Sequence, residues 1–236
     1  RKMFDTRSGF WLLMSVGILA LVATGSVIIW APDSALTFET FSSAIGIPMA
    51  VILPMIAILS VTSEWSQRTG LTTFTLVPGR GRVIAAKAIG SLIVGVVSMF
   101  VALAVGALGN IVGTTIAGVD TTWGVSPTEF SLIILANVLG MTVGFMLGVL
   151  LRSSAAAIVG YFVFNFVLPG LFGMLAATQQ WFRDLQPWVD FSYAQTTLFD
   201  VVPSAEQWAN LATAGALWVL LPLTIGLAMV MRSEVK

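Results

Sequence analysis

The chain has 236 residues, of which 57% are apolar and 9% are charged, and its 11 basic residues balance 11 acidic ones. A soluble domain carries about 25% charged residues, so this is not an ordinary soluble protein, and its zero net charge provides no basic field for binding nucleic acid. The sequence has no Cys and no His. This excludes disulfides and thiol nucleophiles, removes the commonest metal ligand and general base, and so rejects most classes of enzyme.

Six stretches of the chain carry no charged residue, and each is 21 to 24 residues long. A helix rises about 1.5 Å per residue, so about 20 residues cross roughly 30 Å of hydrocarbon. Lipid offers the backbone no hydrogen-bond partner, which favours helices in such stretches. The sequence therefore predicts an all-α polytopic membrane protein with a single transmembrane domain over residues 1–236. Its six predicted transmembrane helices cover about residues 10–30, 41–61, 88–108, 130–151, 154–176 and 208–231.

The basic residues fall almost entirely on one side of this predicted bundle. Residues 1–9, 62–87, 152–153 and 232–236 share that side and hold ten of the 11 basic residues with three acidic ones, a net charge of +7. The other side holds Arg183 and eight acidic residues, a net charge of −7. By the positive-inside rule the first side is cytoplasmic. We therefore expect both termini in the cytoplasm of a multi-pass protein of the cell membrane.

Small residues recur at every fourth position of two predicted spans, a pattern that lets helix backbones approach closely. They are Ser98, Ala102 and Gly106 in the third span and Ala136, Gly140, Gly144 and Gly148 in the fourth. Packing inside one subunit is the commoner use of such a pattern, and a contact between subunits is the alternative.

Asn137 and Asn165 are the most polar side chains well inside predicted spans. An Asn in this position more often bonds a neighbouring helix, but it can also face a substrate path. We therefore interpret Asn137 and Asn165, together with Gly140, Gly144 and Gly148, as residues of either a substrate path or a helix contact.

The predicted external segment 177–207 is rich in aromatic residues. It contains Trp181 and Trp188, and Trp208 follows it at the start of the sixth span. An interfacial aromatic belt is the commoner reason for such residues. The alternative is an external segment that dips back into the bundle and gates an exit. The chain shows no internal repeat, so an inverted-repeat transporter has no support.

The predicted cytoplasmic segment 62–87 joins the second and third spans. Glu64 and Arg68 are four residues apart, so on a helix they share a face and can pair. Apolar side chains stand beside this charged face, and Pro78 would end the element. A short amphipathic element between two spans is a compact docking element through which a cytosolic partner could move the spans.

One motif in this segment reads Glu64-x-x-x-Arg68-x-Gly70-Leu71, then Pro78-x-Arg80, then Lys87. It resembles the signature of type-2 ABC exporter permeases, which is roughly E-x-x-x-[RK]-x-G-T-L, then P-x-[SRT]-R, then a Lys that opens the third span. This chain has Leu71 where Thr is usual, and Gly81-Arg82 in place of a simpler ending. The six-span layout and the long external segment between the last two spans are also similar.

The resemblance implies the permease subunit of a bacterial ABC exporter, working with a second permease subunit, the same or related, and with cytosolic ABC ATPase subunits. The chain has no G-x-x-x-x-G-K-[ST] segment, so we expect no enzyme and no cofactor here, with ATP and Mg²⁺ on the partner. Because the spans are uncharged, we expect an apolar or amphipathic substrate; its outward movement is implied by the resemblance alone. The implied ATPase-coupling residues are Glu64, Trp65, Arg68, Gly70, Leu71, Phe74, Pro78, Arg80, Arg82 and Lys87.

Other classes of protein stay open. An ion-coupled secondary transporter that moves protons normally has acidic residues or His in its spans, and these spans have none, whereas sodium coupling remains compatible. A zinc hydrolase lacks its His and Cys ligands, and a Ser–Lys hydrolase using Lys87 has no motif behind it. A non-transporting immunity or assembly protein would not need a cytoplasmic docking element in residues 62–87.

Overall fold

The computed structural model of the chain describes residues 7–66, 80–200 and 202–232, and in these residues all the regular structure is helical. The prediction of an all-α fold is therefore confirmed for the described part of the chain. The helices are α1 Arg7–Trp30, α2 Phe38–Ser66, α3 Arg80–Ala117, α4 Pro127–Leu151, α5 Ser154–Thr178, α6 Gln180–Val189, α7 Phe191–Asp200 and α8 Ala205–Arg232.

Five of these helices, α2, α3, α4, α5 and α8, are long and apolar enough to cross a membrane. Within α1, Met14–Trp30 forms a shorter apolar helix in the part of the chain that was described. The chain is therefore a multi-pass membrane protein with at least five candidate spans. A sixth span and the side on which the termini lie remain predictions.

The helices extend beyond the charge-free stretches that predicted them. The clearest case is α3, which has 38 residues and so a length of about 57 Å, well beyond the roughly 30 Å of hydrocarbon. At its start α3 includes Arg80, Arg82 and Lys87, and at its end it continues through the uncharged residues 109–117, because neither charge nor polarity interrupts the backbone hydrogen bonds of a helix. Charge patterning therefore located the spans but underestimated the helices.

Local capping residues explain where several helices begin. Ser126 caps α4 in a capping box: its hydroxyl accepts from the Glu129 N–H at 3.2 Å, and the Glu129 carboxylate accepts from the Ser126 N–H at 2.7 Å. Ser204 and Gln207 form the same box at the start of α8. Such boxes satisfy backbone N–H groups that a helix N-terminus otherwise leaves unpaired.

The centre of the bundle is the pair α2 and α4, which pack against each other along their lengths. In its most apolar stretch, α4 is 61% buried, whereas α5 is only 17% buried. The outward face of α5 carries exposed apolar side chains such as Val159, Phe166 and Met174. Because an apolar face on a spanning helix is compatible with hydrocarbon, α5 lies at the periphery and α4 in the core.

The segment between α5 and α8 folds into two helices rather than an open loop. Here α6 packs against α5 and α8, and α7 packs against α4 and α8. On α7, Gln195 Nε2 donates a hydrogen bond to the Ala136 carbonyl of α4 at 2.7 Å. Ala136 lies nine residues after the start of α4, which is about 14 Å along the helix axis. The α6–α7 segment therefore enters the bundle.

Two helices contain a π-helical turn immediately before a Leu-Pro pair. These turns are Val163–Val167 in α5, followed by Pro169, and Ala216–Leu220 in α8, followed by Pro222. Proline has no N–H to donate to the carbonyl four residues earlier. Each π turn contains a hydrogen bond that spans five residues instead of four. It joins Leu168 N–H to Val163 O in α5 and Leu221 N–H to Ala216 O in α8. Such π turns often mark functional sites in helices.

Candidate functional site

A cavity of about 400 Å³ lies where the α6–α7 segment enters the bundle. Its walls come from α2, α4, α5, α6 and α7, and we call it the bundle cavity. Most of its wall is apolar in the manner of ligand pockets, but polar side chains converge on it from four elements. The polar residues used below are Asn137, Tyr161, Asn165, Gln186, Asp190 and Gln195.

Tyr161 ties α5 to α2 at this cavity. Its hydroxyl donates a 2.6 Å hydrogen bond to the Ala50 carbonyl. Four residues further along α2 is Pro54, which has no N–H, so the Ala50 carbonyl has no donor within its own helix. Tyr161 therefore supplies the hydrogen bond that Pro54 cannot make.

Asn165 lies inside the π turn of α5 and lines the cavity. Its side chain is close to the Tyr161 hydroxyl, yet its buried Nδ2 makes no hydrogen bond in the described structure. A buried N–H donor without an acceptor costs about 1–3 kcal/mol. The Asn165 amide therefore lies beside the Tyr161 hydroxyl of its own helix, and its Nδ2 has no other acceptor among the described residues.

Asn137 on α4 is 8% exposed, and its Nδ2 donates to the Ile133 carbonyl of its own helix at 2.9 Å. Its Oδ1 accepts no hydrogen bond from the described residues. The two predicted Asn residues thus line the same cavity.

The glycines of the α4 stripe divide between two roles. A Cβ atom added to Gly144 would lie 2.5 Å from the Pro54 carbonyl oxygen of α2, and one added to Gly148 would lie 3.3 Å from the Ile58 oxygen. Gly140 instead lines the cavity, and an added Cβ there would make only ordinary contacts at 3.8 Å. Gly144 and Gly148 are thus helix contacts within the chain.

Asp190 is a buried carboxylate in the cavity wall, with 3% of its surface exposed. Its Oδ1 accepts from the Tyr193 backbone N–H at 3.1 Å, which caps α7, and its Oδ2 accepts from Gln186 Nε2 at 3.0 Å. The N-terminus of α7 adds a favourable dipole for negative charge. The sequence assigned Asp190 only to the acidic side of the bundle and did not identify it as a site residue.

Arg183, the basic residue of α6, does not pair with Asp190. Its guanidinium donates to the carbonyls of Ala176 and Ala177, at 3.0 and 3.3 Å. These carbonyls belong to the last turn of α5, where a cation stabilises the free acceptors. The lining of the cavity includes no Lys or Arg.

The aromatic residues of the predicted belt are placed at the same end of the bundle. All three are exposed: Trp181 on α6 exposes 62% of its surface, Trp188 exposes 36% and Trp208 exposes 39%. Trp218, which was not singled out from the sequence, donates its Nε1 hydrogen to the Val189 carbonyl at 2.6 Å. It thereby fixes the connection between α6 and α7 that carries Asp190.

The predicted ATPase-coupling residues lie mostly outside what the structure describes. This holds for the side chains of Glu64, Trp65 and Arg80 and for all of Arg68, Gly70, Leu71, Phe74 and Pro78. Of the remaining two, Arg82 is exposed and Lys87 is half-buried. Lys87 Nζ on α3 donates to the Ser60 carbonyl of α2 at 2.5 Å.

The helix ends beside this segment are also tied to the α4–α5 hairpin. The hydroxyls of Thr62 on α2 and Ser154 on α5 share a 2.7 Å hydrogen bond, and Thr62 is fully buried. Lys87 and Thr62 therefore connect α2 with two neighbouring helices within about one turn of each other.

Among the described residues, no group of His, Cys, Asp and Glu side chains could hold a metal ion.

No protein-family model and no curated protein matches this sequence.

Proposed function

We propose that this chain is the permease subunit of an ABC exporter, in which a cytosolic ATPase docks on residues 64–78 and drives movement of the bundle. The order and spacing of Glu64, Arg68, Gly70, Pro78 and Lys87 resemble the type-2 exporter signature. The helical multi-pass architecture is compatible with such a subunit. A second permease subunit and the outward direction are further parts of this proposal.

The observation that supports it best is the path of α2. This helix ends at Ser66, beside the docking segment, and reaches Ala50 in the cavity wall 16 residues earlier, about 24 Å along its axis. Along this length it contacts α3 through Ser60, α5 through Thr62, and α4 through Ile58 and Pro54. A displacement at the end of α2 is therefore carried along this helix as far as Pro54, which lines the cavity.

Pro54 is the point at which α2 bends most easily, because its ring removes one bond from the helical ladder. In the proposed mechanism the ATPase subunits close on ATP and displace the 64–78 segment. The ends of α2 and α3 then move together because Lys87 holds them. The bend at Pro54 changes the shape of the bundle cavity, and the substrate leaves on the side of the α6–α7 segment.

ATP and Mg²⁺ have their places on the partner ATPase in this proposal, and the chain itself carries out no hydrolysis. The substrate class proposed from the uncharged spans is apolar or amphipathic. A free charge would meet a high desolvation cost on such a path.

The test is to purify the protein from its native membrane in mild detergent, identify the accompanying subunits by mass spectrometry and measure ATP hydrolysis. We expect an ABC ATPase to accompany the unmutated protein. A Glu64→Ala/Arg68→Ala double variant is expected to lose at least about tenfold of the bound ATPase, the effect of removing an interface hot spot.

The matched control is an Arg232→Ala/Glu234→Ala variant. It removes one base and one acid from the other end of the chain, on the same predicted side of the membrane, and is expected to retain the ATPase. If the intact protein carries no ATPase, or if both double variants lose it equally, the exporter proposal fails. The chain would then be a sodium-coupled transporter or a protein with a non-transporting role.

A further inference from the structure

We propose that the bundle cavity is a binding site for a small amphipathic amine, with its ammonium group beside Asp190 and its apolar body against the aromatic and proline wall. This goes beyond the exporter proposal, because the site would bind such a compound whether or not an ATPase is present. The charge, the hydrogen-bonding capacity and the size of the cavity all match such a ligand.

The first step is the charge of the cavity. Asp190 supplies a carboxylate that is 97% buried, since 3% of its surface is exposed, and no basic side chain lines the cavity with it. Two of its hydrogen-bonding positions are filled, by Gln186 and by the Tyr193 N–H. A carboxylate has about four such positions. It therefore retains acceptor capacity for a ligand, and no basic side chain of the cavity lining pairs with it.

The second step is that the cavity offers free acceptors to an ammonium group. The side-chain NH₂ groups of Asn137, Gln186 and Gln195 each already donate to a protein acceptor, at 2.9, 3.0 and 2.7 Å. Each NH₂ group thereby uses one of its two N–H donors, and the three amide oxygens accept no hydrogen bond from the described residues. An ammonium group has three donors and no acceptor, so these oxygens and the Asp190 carboxylate can accept from it.

The third step is size and apolar surface. A cavity of about 400 Å³ lies within the 300–1,000 Å³ typical of small-molecule sites. Tyr161, Tyr193 and Phe199 contribute aromatic rings, and Pro54 and Pro169 contribute apolar edges. Aromatic faces attract cations as well as apolar groups. The site therefore fits an ammonium group attached to one aromatic ring or a short apolar chain.

The test uses three probes of nearly equal size: 2-phenylethylammonium, the neutral 2-phenylethanol and the anionic 3-phenylpropanoate. Each is titrated by calorimetry into the purified protein in nanodiscs. We expect the ammonium to bind at least about tenfold more tightly than the alcohol, as a charge-assisted contact requires, and the carboxylate not to bind. Equal affinity for the ammonium and the alcohol, or no binding of the ammonium, would overturn the proposal. This comparison on the unmutated protein decides the matter without any variant.

The Asp190→Asn variant locates the ammonium. Asn is nearly as good a helix cap as Asp and can still accept from the Tyr193 N–H, so the fold should be retained. We expect it to bind 2-phenylethylammonium roughly tenfold less tightly while its affinity for 2-phenylethanol is unchanged. The control is Asp184→Asn, which makes the same change of charge at an exposed position of α6 outside the cavity lining. If the two variants weaken the ammonium equally, Asp190 is not its partner.

The same ammonium chemistry occurs in a free amine and in the ethanolamine headgroup of a lipid. Titrations in nanodiscs of phosphatidylglycerol alone and of phosphatidylglycerol with phosphatidylethanolamine distinguish the two. Weaker probe binding in the second membrane would assign the site to the lipid headgroup, and unchanged binding would assign it to free amines. None of these readouts depends on an ATPase, so the amine site and the exporter proposal can fail separately.

Discussion

Replacing Gly144 with Ala is expected to destabilise the protein by about 1–3 kcal/mol, the usual cost of overpacking a tight contact. The new Cβ atom would lie 2.5 Å from the Pro54 carbonyl oxygen and 3.0 Å from the Pro54 carbonyl carbon. Both are backbone atoms of α2, which cannot rotate away as a side chain does. Relief would require α2 and α4, the central pair of the bundle, to move apart.

The measurement is thermal unfolding of the purified protein in detergent, followed by tryptophan fluorescence. For a chain of this size the expected loss corresponds to a fall of roughly 3–10 °C in Tm. The same stripe provides one control, Gly140→Ala, whose added Cβ would make only 3.8 Å contacts. Gly173→Ala on α5 provides another, because nothing lies within 4 Å of its added Cβ.

Both control variants are expected to keep Tm or raise it slightly, since Ala is favoured over Gly in a helix by about 1 kcal/mol. If Gly144→Ala behaves as these two do, then α2 and α4 are not in backbone contact, and the path from the docking segment to the cavity is lost with it.

Much of the fold could be predicted from the sequence because a membrane imposes a simple condition on it. Charge-free stretches long enough to cross hydrocarbon locate α2, α3, α4, α5 and α8 without knowledge of their packing. The capping boxes that begin α4 and α8 are also visible as local patterns. What the pattern could not provide is the extent of each helix, because backbone hydrogen bonds continue after the first charged residue.

The α6–α7 segment could not be placed from the sequence alone. It contains Arg183, Asp184 and Asp190 among its aromatic residues, which is typical of an interface as well as of an inserted pair of helices. Its entry into the bundle depends on the bond between Gln195 and Ala136, residues that are 59 positions apart. The same holds for Asp190, which is buried by this insertion, whereas Asp184 on α6 is exposed.

Two of the residues that line the bundle cavity, Asn137 and Asn165, are visible in the sequence. Asn137 and Asn165 were selected because an amide inside a span needs a partner, and the four-residue spacing of the glycines indicated a close helix contact. The helix opposite Gly144 and Gly148 was not predictable, because spacing describes only one side of a contact. The sequence does contain a signal for the role of Tyr161. Pro54 inside α2 leaves the Ala50 carbonyl without its helical donor, which predicts that a side chain from another helix donates to it.

The pairing of Tyr161 with Pro54 gives a second expected result. Tyr161→Phe removes the donor to the Ala50 carbonyl and should lower the free energy of unfolding by about 1–2 kcal/mol. Pro54→Ala restores a backbone N–H at position 54, within reach of that carbonyl in a regular helix. In the Pro54→Ala background, Tyr161→Phe should therefore cost less, with a coupling of about 1 kcal/mol between the two positions.

This double-mutant cycle is measured by unfolding in the same detergent, with Tyr193→Phe as the control. Tyr193 also lines the cavity, but its hydroxyl makes no hydrogen bond in the described structure, so its loss should cost the same in both backgrounds. An equal cost of Tyr161→Phe with and without Pro54 would show that the hydroxyl does not serve the carbonyl freed by the proline. A positive coupling would instead mean that the bend in α2 and the wall of the cavity are held by one hydrogen bond. Any movement of α2 at Pro54 must then strain or break that bond, so Tyr161 joins Thr62 in transmitting such a movement from α2 to α5.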